Sequence, residues 1–305
     1  MSPIVSIVIP LYNKEDWIID TLASVEKQTF TNWECLIIDD QSNDASCSLV
    51  RDYIKQKGTR YRLISKANSG QSATRNLGIG YATGKYIAFL DADDLWASNK
   101  LEIQIKQLES DASAVCSLSA YQIFDSRKSL RYLKFIKHHS TKRLIRGWLT
   151  MRGFGGGIES GGLVTKSALE EVGGFDEQLS TSAGLDLTIR LSLTGKILFA
   201  NSTCFRYRKY LGQWHTFESV LVDNLSILRS SRVAQGYNLQ RKHQAYILFS
   251  RFRTSPRKAI SDTGISAIFR LSPVLFHLLT SILLRNLLAV CNGFLMRKSI
   301  NKLFI

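Results

Sequence analysis

Proline is scarce in this chain: Pro3, Pro10, Pro256 and Pro273 are the only four in 305 residues. A long Pro-rich linker is therefore excluded. Cysteine is nearly as sparse. Cys35, Cys47, Cys116, Cys204 and Cys291 are odd in number and widely spaced, with no Cys-x-x-Cys pair. That pattern argues against a disulfide framework or a thiolate zinc site and reads as reduced thiols in a cytoplasmic protein. Phosphate-binding glycine loops are missing too. No Gly-x-x-x-x-Gly-Lys-Ser/Thr run occurs. Gly78-Ile-Gly80-Tyr-Ala-Thr-Gly84 places its third glycine one position late for a dinucleotide fingerprint, and it follows a helix pattern where a strand is required. A P-loop enzyme and a dinucleotide-dependent dehydrogenase are set aside on these grounds. The first ten residues carry no basic leader, and the apolar stretch Ile4–Ile9 reads as a buried strand, so the expected location is cytoplasmic. Acids almost vanish late in the chain: from Asn224 to Ile305 there are thirteen Lys or Arg against Asp262 alone.

What is present is a globular composition, 45% apolar and 21% charged. Over residues 4 to 110, apolar β-branched runs alternate with helical spacing. Ile4–Ile9, Glu34–Ile38, Arg60–Ser65 and Lys85–Leu90 read as strands. Between them, helices are expected over Lys14–Gln28, from an Asp44 cap to Ile54, and from Ser69 or Ser72 to Tyr81, with a further one from Ser98 to Leu108. This alternation predicts an α/β fold: a Rossmann-like, mostly parallel sheet with helices on both faces. Right-handed crossovers then bring the strand C-termini to one edge, where ligands bind. Past Ser113 the alternation fades. Ala114–Phe124 reads as a strand, and Thr165–Val172 and Asp186–Thr194 as short helices. Six glycines between Gly153 and Gly162, with Glu159 and Ser160 among them, read as a flexible loop over the site.

Three polar clusters fall at the expected edge: Tyr12-Asn13, Asp39-Asp40, and Asp91-Ala92-Asp93-Asp94. Paired carboxylates such as Asp91 and Asp93 can share Mg²⁺ or Mn²⁺, which take oxygen ligands and leave positions for phosphate oxygens. Such a cation neutralises the charge on a diphosphate leaving group. The competing reading is an acidic turn that caps the next helix. Arg75, in Ser69-Gly-Gln-Ser-Ala-Thr-Arg75-Asn76, can bind base or phosphate oxygens through its planar fork, or be a solvated surface arginine.

Taken together, Val5-Ser-Ile-Val-Ile-Pro-Leu-Tyr-Asn13, Ile37-Ile-Asp-Asp-Gln-Ser-Asn-Asp-Ala-Ser46, Asn68-Ser-Gly-Gln-Ser-Ala-Thr-Arg-Asn-Leu-Gly78 and Phe89-Leu-Asp-Ala-Asp-Asp94 resemble the N-terminal half of glycosyltransferase family 2. A weaker likeness continues through Val172-Gly-Gly-Phe-Asp-Glu177 and Asp186-Leu-Thr-Ile-Arg190, to roughly residue 210. The resemblance implies a GT-A fold, a nucleotide-diphospho-sugar donor (UDP-sugar foremost), a metal ion and inversion at the anomeric carbon. It implies that Pro10, Tyr12 and Asn13 lie near the nucleobase, with Asp40 on the base edge and Arg75 close by. It places Asp91, with Ala92, at the ribose or metal, and Asp93 on the metal. It implies a catalytic domain over residues 1–215, with a nucleotide-binding half over 1–110 and an acceptor half over 111–215; the basic segment over 216–305, expected to be helical, lies outside the resemblance.

The sequence departs from the family at one place. An inverting transferase needs a carboxylate to take the proton from the attacking hydroxyl. The family's usual Glu-Asp pair is absent, and its base position falls on Gly184 in Ala183-Gly-Leu-Asp-Leu187. Asp186 is the first candidate for a base, or an N-cap; Glu159 and Asp176 are reserves. In the tail, Ser272-Pro273 begins a helix to Leu295 with Arg270, His277, Ser281, Arg285 and Asn292 in one stripe. Only fourteen residues free of charge separate Arg270 from Arg285, short of the ~20 that span a bilayer. The segment reads as lying peripherally on an anionic inner-leaflet surface, or as packing on protein. The expectation is a glycosyltransferase acting on a saccharide or lipid-linked acceptor in surface polysaccharide biosynthesis. A nucleotidyltransferase and a nucleotide-binding relative without turnover are the alternatives. Nucleic acid is not expected, because the tail helix is mainly aliphatic, where a nucleic-acid binder would interleave basic residues with exposed aromatics.

Overall fold

A computed structural model describes residues 2–125, 130–133, 157–179 and 181–209, all of which fall within the compact unit Met1–Ile227. The basic stretch 134–142, the first glycines of the 153–162 run and the tail beyond 209 lie outside the described residues.

The chain opens with β1 (Val5–Leu11), α1 (Ile18–Glu26), β2 (Trp33–Asp39), α2 (Ser46–Lys57), β3 (Tyr61–Ser65), α3 (Gln71–Tyr81) and β4 (Tyr86–Phe89). It continues with β5 (Leu95–Trp96), α4 (Lys100–Glu109), β6 (Ala114–Asp125) and β7 (Leu130–Leu133). Then come α5 (Ile158–Gly161), β8 (Leu163–Thr165), α6 (Lys166–Glu171), α7 (Ala183–Thr194) and β9 (Lys196–Lys209). The strands form one sheet in the order β3-β2-β1-β4-β8-β6-β9-β5, with β7 paired to β6. β3, β2, β1 and β4 run parallel, as does the β6–β9 pair; β8 enters antiparallel to both β4 and β6. Every residue of β1 is buried, which is the signature of a strand covered on both faces. Edge strand β3 is mostly half-exposed. The α/β expectation therefore holds, and β5, β7, β8 and β9 are the strands that the sequence pattern did not contain.

Helix starts differ by a residue or two from the expected caps. The cap positions are Ala45, Gly70 and Asn99 rather than Asp44, Ser69 or Ser72, and Ser98. Asp44 still accepts from Ser46 N (2.9 Å). Ser69 and Gly70 donate their own N–H groups to Asp40, so their loop is held by a tertiary contact instead of a local cap.

The first and last glycines of the rejected fingerprint serve the packing. A Cβ on Gly78 would lie 2.3 Å from Val8 Cγ1, and one on Gly84 would lie 2.7 Å from Ser6 N and 2.9 Å from Val5 C. Glycine lets α3 and the turn before β4 press directly on β1.

Candidate active site

The parallel strands end together. Leu11 pairs with Asp39 in register, and Asp40 N donates to Leu11 O (2.8 Å). Pro10 is buried in β1, whereas Tyr12 is exposed just beyond it. Asn13 has φ 50°, a left-handed conformation that asparagine tolerates, and its Oδ1 accepts from Asn43 N (2.8 Å). The loops after β1 and β2 are thus tied to each other.

Asp40 is 4% exposed. Its two oxygens accept from Ser69 N (2.9 Å) and Gly70 N (3.0 Å), and Lys66 Nζ donates to it as well. Burial pushes its pKa up, but these donors outweigh burial and hold the carboxyl below its ordinary value. In this arrangement Asp40 anchors the loop that precedes α3.

The carboxylates after β4 sit among cations. Asp91 Oδ1 accepts from Arg75 Nη2 at 2.6 Å, and Asp93 Oδ2 from Lys14 Nζ at 2.8 Å. The Ala92 carbonyl, just between them, accepts from Thr21 Oγ1 (3.0 Å), which fixes the turn to α1. Asp94 is fully buried; its Oδ1 accepts from Arg208 N (2.9 Å), while Oδ2 is buried with no hydrogen-bond partner within reach among the described residues. Burial raises the Asp94 pKa well above the carboxylate range, and the neighbouring Asp91 and Asp93 charges add to it. Burial also raises Asp91, opposed by Arg75.

A cavity of about 660 Å³ opens here, within the size range of ligand sites. Ser69 to Ser72, Arg75, Asp91 and Asp94 line it, and Tyr121, Phe205 and Tyr207 supply an aromatic wall from β6 and β9. Tyr121 and Phe205 stack with centroids 5.2 Å apart.

The expected flexible loop is, over its described part, a pinned turn. Asp91 N donates to Ser160 Oγ (3.1 Å), Trp96 Nε1 to Ser160 O (2.9 Å) and Gln104 Nε2 to Gly161 O (2.9 Å). Its Glu159 lines the cavity. Burial raises the Glu159 pKa; nearby Arg75 and the N–H groups of Glu159 and Gly184 act in the opposite sense. Asp186 is placed otherwise. It lies in the first turn of α7, whose cap is Ser182, and its Oδ2 accepts from Arg190 Nε (2.7 Å). It is not among the residues that line the cavity. Asp176, the other reserve, is on the loop before α7 and accepts from Gln178 N (2.9 Å).

Asp91 and Asp93 supply hard oxygen donors of the kind that Mg²⁺ and Mn²⁺ take. Among the described residues, no group of three or more His, Cys, Asp or Glu is arranged to enclose a metal by itself. The donor set fits a cation whose shell is completed by phosphate oxygens.

Sequence reading missed Lys14, Lys66 and Arg208. Lys14 directly follows the Tyr12-Asn13 cluster, so its position was a usable signal. Arg208 had none: it lies on β9, and its Nε donates to Asp93 O (2.8 Å) across 115 positions.

Comparison with known proteins agrees with this geometry. Residues 6–173 match the model for glycosyl transferase family 2. An uncharacterized glycosyltransferase of Rickettsia felis is 48% identical over 118 residues, 39% of this chain and 19% of that protein. WfgD of Escherichia coli is named UDP-Glc:alpha-D-GlcNAc-diphosphoundecaprenol beta-1,3-glucosyltransferase; it is 42% identical over 106 residues, 34% of this chain and 41% of that protein. The matches thus span less than half of these relatives. In fold, the chain is similar to residues 1–349 of S. aureus TarS in complex with UDP-GlcNAc, with TM-score 0.63 and 17% identity over 88% of this chain and 78% of that one. It is also similar to GalNAc-T7 with UDP, GalNAc and Mn²⁺, with TM-score 0.58 and 15% identity over 79% and 54% of the two chains. The fold is of the GT-A type. Among the described residues, no helix is long and apolar enough to cross a membrane.

Proposed function

The chain belongs to glycosyl transferase family 2, and we propose from that premise that it moves a sugar, with inversion, from a UDP-sugar to a saccharide or lipid-linked acceptor in surface polysaccharide biosynthesis. The observation that carries the reading is the meeting of Arg75, Asp91 and Asp94 in one cavity at the C-terminal edge of the parallel strands, with Asp93 next to them.

In this reading the base lies towards Pro10, Tyr12 and Asn13, beside the loop that Asp40 holds in place. Arg75 meets donor oxygens with its planar fork and opposes the burial that raises the Asp91 pKa. Asp91 and Asp93 would hold Mg²⁺ or Mn²⁺, which when bound neutralises charge developing on the departing diphosphate. The aromatic wall of Tyr121, Phe205 and Tyr207 offers the acceptor sugar a stacking surface. The basic tail would bring the enzyme to an anionic inner-leaflet surface, where lipid-linked acceptors reside. WfgD, with its diphosphoundecaprenol acceptor, supports that acceptor class.

Calorimetry of UDP with and without Mn²⁺, followed by a UDP-sugar panel tested with GlcNAc-diphospho-lipid and free saccharide acceptors, tests the proposal. Metal-dependent UDP binding together with sugar transfer is the expected result. UDP binding without turnover on any acceptor would favour a nucleotide-binding relative that does no chemistry, a reading that glycine at position 184 supports. Failure of UDP to bind at all would overturn the donor assignment.

A further inference from the structure

Gly184 begins α7 at the cavity, and the Glu159 carboxylate occupies the space that a side chain at 184 would fill. A Cβ on Gly184 would lie 1.8 Å from Glu159 Oε1, 2.2 Å from Cδ and 2.5 Å from Oε2. A Cβ on Gly157 would lie 1.8 Å from Oε2. The carboxylate is thus clasped between two glycines, from α7 and from its own loop. Any side chain at 184 and this rotamer of Glu159 exclude each other.

Four carboxylates line the cavity, and three are engaged elsewhere. Asp91 is paired with Arg75, Asp94 accepts from Arg208 N beneath the floor, and Glu177 accepts from Asn76 Nδ2 (2.8 Å). Glu159 forms no salt bridge among the described residues. Its anchors are backbone N–H groups, its own and that of Gly184 at the start of α7, where the helix dipole favours an anion. The loop behind it is fixed to the turn after β4, to β5 and to α4 by the hydrogen bonds of Ser160 and Gly161. This is a carboxylate held in place with no salt bridge to occupy it among the described residues.

We propose that Glu159 is the general base of the transfer, its carboxylate standing where a side chain at position 184 would otherwise project. The assignment rests on the transferase reading above. As the acceptor oxygen attacks the anomeric carbon, its proton passes to a Glu159 oxygen. The bond from the anomeric carbon to the β-phosphate oxygen breaks, and that electron pair leaves with UDP. The Glu159 carboxylate, carried by the loop, fills the space beside α7 that the side chain missing at Gly184 leaves open. Asp186, tied to Arg190 outside the cavity lining, does not compete for the role.

The test uses the full chain and compares Glu159→Gln, Glu159→Ala and the double change Glu159→Ala with Gly184→Asp. Steady-state transfer is measured with the UDP-sugar that wild type uses, alongside UDP binding by calorimetry. Loss of a general base is expected to lower kcat of Glu159→Gln by about 10²-fold or more while donor KM and UDP affinity stay within about threefold. The double variant, with its carboxylate re-sited on α7, is expected to regain roughly tenfold over Glu159→Ala. Glu159→Gln that keeps more than about a third of wild-type kcat, or that loses UDP binding in step with kcat, would overturn the assignment. A wild-type chain that binds UDP and transfers nothing would instead sink the transferase reading, and this role with it.

Discussion

Lys14 Nζ and Asp93 Oδ2 lie 2.8 Å apart, joining the loop after β1 to the acidic turn after β4. The pair neutralises a carboxylate that is largely withdrawn from water, and a divalent cation at Asp93 must compete with that ammonium. Asp93→Asn removes the charge that both need while keeping the shape. The expected outcome is loss of the Mn²⁺-dependent gain in UDP affinity, about tenfold or more, measured by calorimetry with and without the metal. An unchanged metal dependence would take Asp93 out of the metal site.

Asn76 holds the loop that follows α6. Its Nδ2 donates to Phe175 O (2.9 Å) and its Oδ1 accepts from Phe175 N (2.8 Å), a reciprocal pair across 99 positions. Gly174 approaches closely, with φ 70° and room for no Cβ beside Asn76 Oδ1. Asn76→Ala should cost about 2 kcal/mol of stability, since it strips both partners from a part-buried backbone. Because Glu177 to Leu179 line the cavity, the same change should weaken acceptor KM more than UDP affinity. Urea unfolding and acceptor titration check the two halves; equal losses at donor and acceptor would refute the second.

Gly84→Ala offers a purely structural test. The added methyl would meet backbone atoms of Val5 and Ser6 on central strand β1, which cannot rotate away. A loss of roughly 1–3 kcal/mol is expected. Gly80→Ala, with nothing within 4 Å, is the control and should be neutral or slightly stabilising, as alanine suits a helix interior better. Thermal unfolding of the two variants side by side decides the matter.

Lys100 makes stability depend on pH in an unusual direction. Its ammonium has no exposure, lies 4.2 Å from the Trp96 ring centroid, and donates to Gln104 Oε1 (2.6 Å) and Gly162 O (3.2 Å). Burial lowers its pKa from 10.5 to about 7. The folded pKa is the depressed one, so the unfolded chain binds the extra proton between about 7 and 10.5, and stability rises with pH across that window. Below it both states are protonated, and this group contributes no slope. Denaturation midpoints at about pH 7 and pH 9 should show a rise of roughly 1–3 kcal/mol from this group, absent in Lys100→Met. An identical rise in the variant would assign the effect to other groups.

The alternation of apolar runs and helical spacing over residues 4 to 110 determined the parallel strands, because a strand buried on both faces reads as a nearly continuous apolar run, as Ile4–Ile9 does with Ser6 its one polar residue. Once the strands are parallel, their crossovers force Asp40, Arg75 and Asp91 to one edge, so this half of the candidate site was legible from local pattern alone. The partners of those residues were not. Lys14 with Asp93, Arg208 with Asp94 and Phe175 with Asn76 are joined across 79, 114 and 99 positions, and no local period records such pairs. Tertiary structure alone also decided where Glu159 and Asp186 lie relative to the cavity. In sequence Glu159 was an acid in a glycine run and Asp186 an acid next to a vacant position. Folding placed Gly184 against Glu159, and helical spacing gave Asp186 to Arg190 four residues on. Which carboxylate faces the cavity depends on the packing of α5 against α7, a contact between chain segments that neither segment encodes by itself.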